Sequence, residues 1–343
     1  MRITTWVFSS LATLFASSYT FAATETQQEP DEIDLIKQCV LNEVLAGDKN
    51  RTVGELREFC SQMDAAKNVS QLDKRVARES VGAKNRNVLT PHQRNYILPV
   101  SYVSHPNSRP FDGFSELAEE GEPLDHLEVK YQLSLKVPIY TGFSDKDQAI
   151  FMGFTLQSFW QFYNKEISSP FRETNYEPEL FWINFLDDEH VLWGDEMAVA
   201  LGISHQSNGR SQPNSRSWNR VYANFIWENR GFVFSLKPWY RIPEDRKEDS
   251  LEAKGDDNPD IHKYMGYFEF SGAYRYEEHE FSFMLRNNLN NDNRGAIQLD
   301  WSFPAWGKLR GYVQYFNGYG ESMIDYNADI ERIGVGILLT DLL

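Results

Sequence analysis

A histidine, a serine and an asparagine stand in one pattern near the middle of the chain: His205, Ser207 and Asn219, within the stretch from Gly202 to Arg220. Before them, Met197, Val199, Leu201 and Ile203 alternate with Ala198, Ala200, Gly202 and Ser204. In a strand, residues two apart share a face, so His205 and Ser207 continue the apolar series, roughly 7 Å apart along the strand. Asn219 shares parity with Val221, Ala223, Phe225 and Trp227 beyond the loop. These types have one familiar joint use: the imidazole takes the serine proton, and the amide oxygen holds the other ring nitrogen in the right tautomer. A plainer reading stays open on these residues alone, that of polar side chains where an apolar face ends near water. The loop between the strands is rich in Gly, Asn and Ser. Its carbonyls and hydroxyls are the ligands that a hard cation such as calcium prefers.

The elements that must hold these residues are strands. Leu127, Val129, Tyr131, Leu133, Leu135 and Val137 alternate with Glu128, Lys130, Gln132, Ser134 and Lys136. Ile297, Leu299, Trp301 and Phe303 oppose Gln298, Asp300 and Ser302 in the same way. Such alternation fits any antiparallel sheet with one dry face, a soluble sandwich included. The count separates the two. Strand cores are expected near 96–102, 127–139, 149–162, 175–186, 196–206, 218–229, 232–241, 263–276, 280–288, 295–303, 309–319 and 331–342. That makes twelve, an even number, each about as long as a tilted membrane strand. Tight turns at Glu228-Asn-Arg-Gly231 and Glu277-Glu-His-Glu280 contrast with the long polar stretch from Pro243 to His262. This asymmetry belongs to outer-membrane barrels. The expected fold is thus all-β, a twelve-stranded antiparallel transmembrane barrel over residues 95–343.

The polar face carries both signs of charge: Glu128, Lys130, Lys136, Arg220, Glu228, Lys237, Glu269, Arg275, Asp300 and Arg310. Twelve strands enclose less space than the larger barrels of porins. The interior should therefore be filled by ion pairs and hydrogen bonds rather than by a wide pore. No apolar run of about 18 residues follows the start of the chain, which argues against a helical membrane protein. A net charge of -16 with no basic stripe argues against nucleic-acid binding.

Residues 1–22 read as a secretory signal: Arg2, an apolar core from Trp6 to Phe15, then Thr20-Phe-Ala22. Residues 23–94 read as a periplasmic helical hairpin and connector. Ile33, Ile36, Val40, Val44 and Leu45 keep helical spacing, which restarts at Val53, Leu56 and Phe59 after Gly47-Asp-Lys-Asn50. Cys39 and Cys60 would fall on facing helices, and in an exported chain a disulfide is the default reading.

The pattern His205-x-Ser207-Asn208-Gly209-Arg210-Ser211-x-Pro213-x-Ser215-Arg216-Ser217-Trp218-Asn219-Arg220 resembles the bacterial outer-membrane phospholipase A family. So do the segments from Ser168 to Pro178, Lys237 to Tyr240, Asp256 to Asp260, Lys263 to Tyr267, Gly318 to Ser322 and Ile324 to Tyr326. The resemblance covers most of residues 95–343. It implies an outer-membrane enzyme that hydrolyses phospholipid acyl esters, uses calcium and acts as a homodimer. It implies Ser207 as nucleophile, His205 as base and Asn219 as the residue orienting it. Calcium would be held by the carbonyls of Arg210 and Ser215 with Ser168 from a second copy, and Asp257 matches a ligand of the monomeric form. Three positions depart from the family pattern. Gln212 stands where an aspartate can occur, Leu156 where a buried amide can occur in the dimer interface, and Leu343 where the last residue is usually aromatic.

With the apolar parity facing lipid, the trio lies on the outside of the barrel, with Leu133, Leu135 and Leu156 as walls of a groove along a dimer seam. The competing class is a passive barrel, a small channel or structural protein with an inert trio. His92, His105, His126, His190, His262 and His279 read as solvated loop residues.

Overall fold

The computed structural model of the chain describes residues 52–56, 71, 89–111, 123–141, 148–186, 191–192, 194, 196–249, 251–252, 254–307 and 309–340. The chain divides into two compact units, residues 1–68 and 69–343. In the first, Thr52 opens a helical turn at residues 53–56 through a capping box. The Glu55 N–H donates to the Thr52 hydroxyl at 3.2 Å, and the Thr52 N–H donates to the Glu55 carboxylate at 2.7 Å. The expected secretory segment, the Cys39/Cys60 pair and Leu343 lie outside the described residues.

The second unit consists of antiparallel strands β1 (Asn95–Val103), β2 (Leu127–Tyr140), β3 (Gln148–Trp160), β4 (Phe171–Leu186), β5 (Glu196–Ser207) and β6 (Ser217–Asn229). They continue as β7 (Phe232–Ile242), β8 (Phe268–Tyr276), β9 (His279–Asn287), β10 (Gly295–Trp306), β11 (Leu309–Tyr319) and β12 (Asp329–Thr340). Each pairs with the next, and β12 pairs back onto β1, so the sheet closes as a twelve-stranded barrel. The two-residue segment Thr90–Pro91 continues the line of β1 along β2, pairing Thr90 with Lys136.

The largest departure from the expected strands lies before β8. The stretch expected as strand from residue 263 begins instead with a helical turn, α1 (His262–Met265), and β8 starts only at Phe268. Asn258-Pro-Asp260 opens that turn, with the Ile261 N–H donating to the Asn258 carbonyl at 3.1 Å. Gly266, at φ 68°, ends it.

Burial runs opposite to that of a water-soluble sheet. On β2, Glu128, Lys130, Gln132, Ser134 and Lys136 are buried, while Leu133 and Leu135 are exposed. On β5 and β6 the outward residues Leu201, Ile203 and Val221 are 51%, 53% and 45% exposed. A face so apolar and continuous has hydrocarbon as its natural solvent. Aromatic side chains gather at the strand ends, where an interfacial girdle belongs. Trp160 stacks on Phe171 at 5.0 Å, and at the other end of the strands Phe232 stacks on Tyr274 at 4.2 Å. The turn between β6 and β7 is two residues long, with Arg230 and Gly231 both at positive φ, the geometry that suits a tight hairpin. Longer loops occupy the opposite rim, after β5, β7 and β11.

The lumen is packed with polar groups, as the charged face predicted. Glu128 accepts from Arg172 at 3.0 Å and Arg332 at 2.6 Å, and Glu321 accepts from Lys130 at 2.9 Å and Arg332 at 2.7 Å. Asp325 accepts from Arg172 at 2.6 Å. Lys130, Arg172 and Arg332 also surround the buried ring of Phe159, at 5.4, 5.0 and 5.1 Å from its centroid. A second cluster joins Arg94 to Glu280 at 2.7 Å and to Asp300 at 3.2 Å. His92 corrects its expected place in solvent. It lies inside the barrel, 2.6 Å from the Glu179 carboxylate and stacked on Phe181, because the Thr90–Pro91 extension carries it in along β2.

Candidate active site on the outer face of the barrel

Strand register brings the expected trio together across two strands. His205 and Asn219 are direct partners in the β5–β6 ladder, and the Asn219 Oδ1 lies 2.8 Å from the His205 Nδ1. Both continue the outward series of Ile203 and Val221, so the pair projects from the barrel. Ser207 stands two residues along β5 and pairs with Ser217 on one side and Tyr176 on the other. Among the described residues its hydroxyl makes no hydrogen bond, so this structure brings two members together by a bond and leaves the third adjacent on the same face. Hydrogen bonds between a nucleophile and its base tighten when substrate binds.

The ladder relates the site to the expected groove. Leu133 pairs with Leu156, Leu156 with Tyr176, and Tyr176 with Ser207. One rung of the sheet therefore runs from the apolar surface of β2 and β3 to the serine on β5.

The loop after β5 is a built structure. The Asn208 Oδ1 accepts from the Arg216 N–H at 2.9 Å and its Nδ2 donates to the Asn214 carbonyl at 2.8 Å. Gly209, at φ 62°, makes the turn that this clasp requires. Arg210 donates to the Glu173 carboxylate at 3.0 Å, tying the loop to β4. Behind the site, Trp218 is fully buried and donates to the Gln206 side chain at 2.8 Å, with the Arg220 guanidinium 4.2 Å from its ring centroid. Sequence reasoning gave Asn208 no role, although the Asn-Gly pair is a turn signal.

The oxygen donors expected for calcium divide into two groups. Among the described residues the Arg210 carbonyl accepts no hydrogen bond. The Ser215 carbonyl accepts from the Arg216 guanidinium at 2.6 Å and keeps a second lone pair. Ser168 sits in an exposed turn at φ 63°. Two carbonyls and a hydroxyl are hard, neutral ligands of the kind calcium accepts, so this group fits. Asp257 does not. Lys247 places its ammonium on the Asp257 Oδ1, the Gln212 amide donates to the same oxygen at 2.7 Å, and the Ser215 hydroxyl donates to Oδ2 at 2.5 Å. Partial burial alone would raise the Asp257 carboxyl, but these donors and the Lys247 charge more than offset it and hold it below the usual carboxylate range. With a side-chain ammonium already in contact, Asp257 has its cation. Among the described residues no group of three or more His, Cys, Asp or Glu side chains could hold a metal.

Fold and surface together define a class: a multi-pass outer-membrane β-barrel with polar side chains set into its lipid-facing wall. A sequence profile of the family described as Phospholipase A1 matches residues 72–339. The chain is 42% identical over 254 residues to the Phospholipase A1 of Escherichia coli K12, covering 74% of this chain and 82% of that one. It is 37% identical over 283 residues to the Phospholipase A1 of Klebsiella pneumoniae, covering 81% and 93%. Among solved structures it is similar to the outer membrane phospholipase A from Escherichia coli, at 38% identity and a TM-score of 0.65 over 74% of this chain and 99% of that one. It is also similar to the Salmonella typhi outer membrane phospholipase, solved as a dimer with bound calcium, at 37% identity and a TM-score of 0.66 over 76% and 94%. The chain belongs to the phospholipase A1 family. It is an outer-membrane hydrolase with phospholipase A activity.

Proposed function

We propose that the protein hydrolyses acyl esters of membrane phospholipids with Ser207 as nucleophile, His205 as general base and Asn219 as the residue that orients it, in a calcium-dependent homodimer. The observation that carries this reading is the 2.8 Å contact between the His205 Nδ1 and the Asn219 Oδ1 on the outward apolar face, two residues along the strand from Ser207. With Nδ1–H donated to the amide, Nε2 is left as the proton acceptor. Ser207 attacks the ester carbonyl, and His205 accepts its proton and returns it to the departing lyso-lipid. Water then hydrolyses the acyl-enzyme. The Ser207 backbone N–H is the protein's own donor toward the developing oxyanion. An amide in the third position avoids setting a carboxylate directly into the apolar wall, where an unpaired charge is costly. Asn219→Ala is expected to lower kcat roughly 10- to 100-fold while the barrel folds normally, since one orienting hydrogen bond is lost. A variant with wild-type kcat would remove Asn219 from the mechanism.

Arg210, Ser215 and the second copy's Ser168 would hold calcium, whose charge offsets the negative charge developing on the ester oxygen. Leu133, Leu135 and Leu156 then face the dimer seam beside the nucleophile's rung, which supports the reading that acyl chains lie there. A chelator is expected to abolish turnover and to shift cross-linked dimer toward monomer, and added calcium to reverse both. Turnover that persists in chelator would remove this cation assignment. The Asp257 group makes a separate prediction: Gln212→Asp with Lys247→Ala should create calcium binding in the monomer, read by terbium luminescence. The unmodified monomer should give no such signal.

A further inference from the structure

The loop that follows β7 reaches back to the triad. The Asn219 Nδ2 donates to the Glu244 carboxylate at 3.0 Å, on the side of the amide away from His205. The route is short, because Asn219 pairs with Ile242, and Pro243 then ends β7 so that the chain can turn. The loop itself is clasped. The Asp256 N–H donates to the Asp245 carbonyl at 2.8 Å, Arg241 donates to the Asp256 carboxylate at 2.5 Å, and Gly255 adopts φ 99° where a side chain would meet the Asp245 carbonyl. Glu244 is thus held at the amide by backbone on both sides of it.

We propose that Glu244 is a positioning residue, which fixes the rotation of the Asn219 amide and through it the tautomer of His205. This rests on the triad reading above. An asparagine side chain can present either end to its neighbour, and an ionised carboxylate only accepts hydrogen bonds. Glu244 therefore demands the NH2 end of Asn219, and the Oδ1 must face His205. That oxygen accepts only from a protonated Nδ1, so the ring proton stays there and Nε2 stays free to take the Ser207 proton. In the flipped amide, Nδ2 would face His205 and draw a bare Nδ1, moving the proton to Nε2 and leaving no base. The same flip would press Oδ1 against the Glu244 carboxylate.

The test is a set of substitutions read by steady-state kinetics on full-length dimer with calcium. Glu244→Ala is expected to lower kcat roughly 10-fold, the scale of one hydrogen bond to a charged group, with KM unchanged. Glu244→Gln, which keeps an acceptor for Asn219, should recover most of that loss. In an Asn219→Ala background, Glu244→Ala should add nothing, because the amide it acts through is gone. Asn219→Asp should be poor alone, with two carboxylates facing each other, and should improve when Glu244→Gln is added. Full activity of Glu244→Ala, or a loss that multiplies with that of Asn219→Ala, overturns the proposal. Neither result touches the triad, whose own failure would be read from Ser207→Ala.

Discussion

Ser207→Ala is expected to reduce ester hydrolysis by roughly 10⁴-fold or more, measured on detergent-solubilised protein with calcium and an acyl ester substrate. The size follows from chemistry: without the hydroxyl no acyl-enzyme forms, and His205 has no proton to take. The fold gives the variant a clean background. Among the described residues the Ser207 hydroxyl makes no hydrogen bond, and both ladder partners of its backbone remain. Thermal unfolding of the barrel should therefore be unchanged within a few tenths of a kcal/mol, as for a surface substitution. His205→Ala should fall to a comparable residual rate, and the Ser207/His205 double variant should be no worse than either. Losses that multiply would mean that the two residues do not act as one unit, and retention of activity in Ser207→Ala would end the nucleophile assignment.

The outward placement behind that prediction was readable from parity alone. The alternation through Leu201 and Ile203 fixes which side His205 shares, and the alternation through Val221 does the same for Asn219. What parity cannot supply is register. That His205 and Asn219 meet directly depends on the loop from Asn208 to Arg216, whose length and Asn208 clasp set the pairing. Glu244 was beyond reach because the segment after Pro243 mixes acidic and basic residues with no period, and only its fold brings one carboxylate to Asn219. Lys247 was hidden for the same reason. Asp257 was legible as an acidic turn residue, while the ammonium that occupies it belongs to the same loop. His92 failed differently: a lone histidine before the first long strand looks like a connector, yet two residues of ladder carry it into the lumen.

The lumen was legible in kind and not in detail. Alternation marks Glu128 and Lys130 as inward, but their partners come from distant parts of the chain. Glu128 meets Arg332 across 204 residues of sequence, and Arg172 meets Asp325 across 153. No local pattern pairs such residues, because closure of the barrel does the pairing. Within the described cluster the charges balance, with Lys130, Arg172 and Arg332 against Glu128, Glu321 and Asp325.

That balance sets the largest expected effect on stability. Arg332→Met removes the cation shared by Glu128 and Glu321, whose side chains are each 1% exposed, together with its 2.8 Å bond to the Ser101 hydroxyl. Breaking a buried pair while leaving its carboxylate behind costs about 3–5 kcal/mol. The urea midpoint of refolded barrels, followed by tryptophan fluorescence, should fall accordingly. Adding Glu321→Gln to Arg332→Met should recover part of the loss, since the second change removes one stranded charge while Lys130 keeps an oxygen to donate to. A double variant weaker than the single would refute charge balance as the source of stability. The effect on catalysis should be much smaller. The loop bearing Glu321 reaches the site through Glu173, which accepts the Ile324 N–H at 3.1 Å and the Arg210 guanidinium at 3.0 Å, and through the Tyr326 ring, 5.9 Å from the Arg216 guanidinium. Arg332 makes no contact with that carboxylate among the described hydrogen bonds. The barrel should therefore lose resistance to unfolding well before its outer face loses kcat, which separates what the interior does from what the lipid-facing wall does.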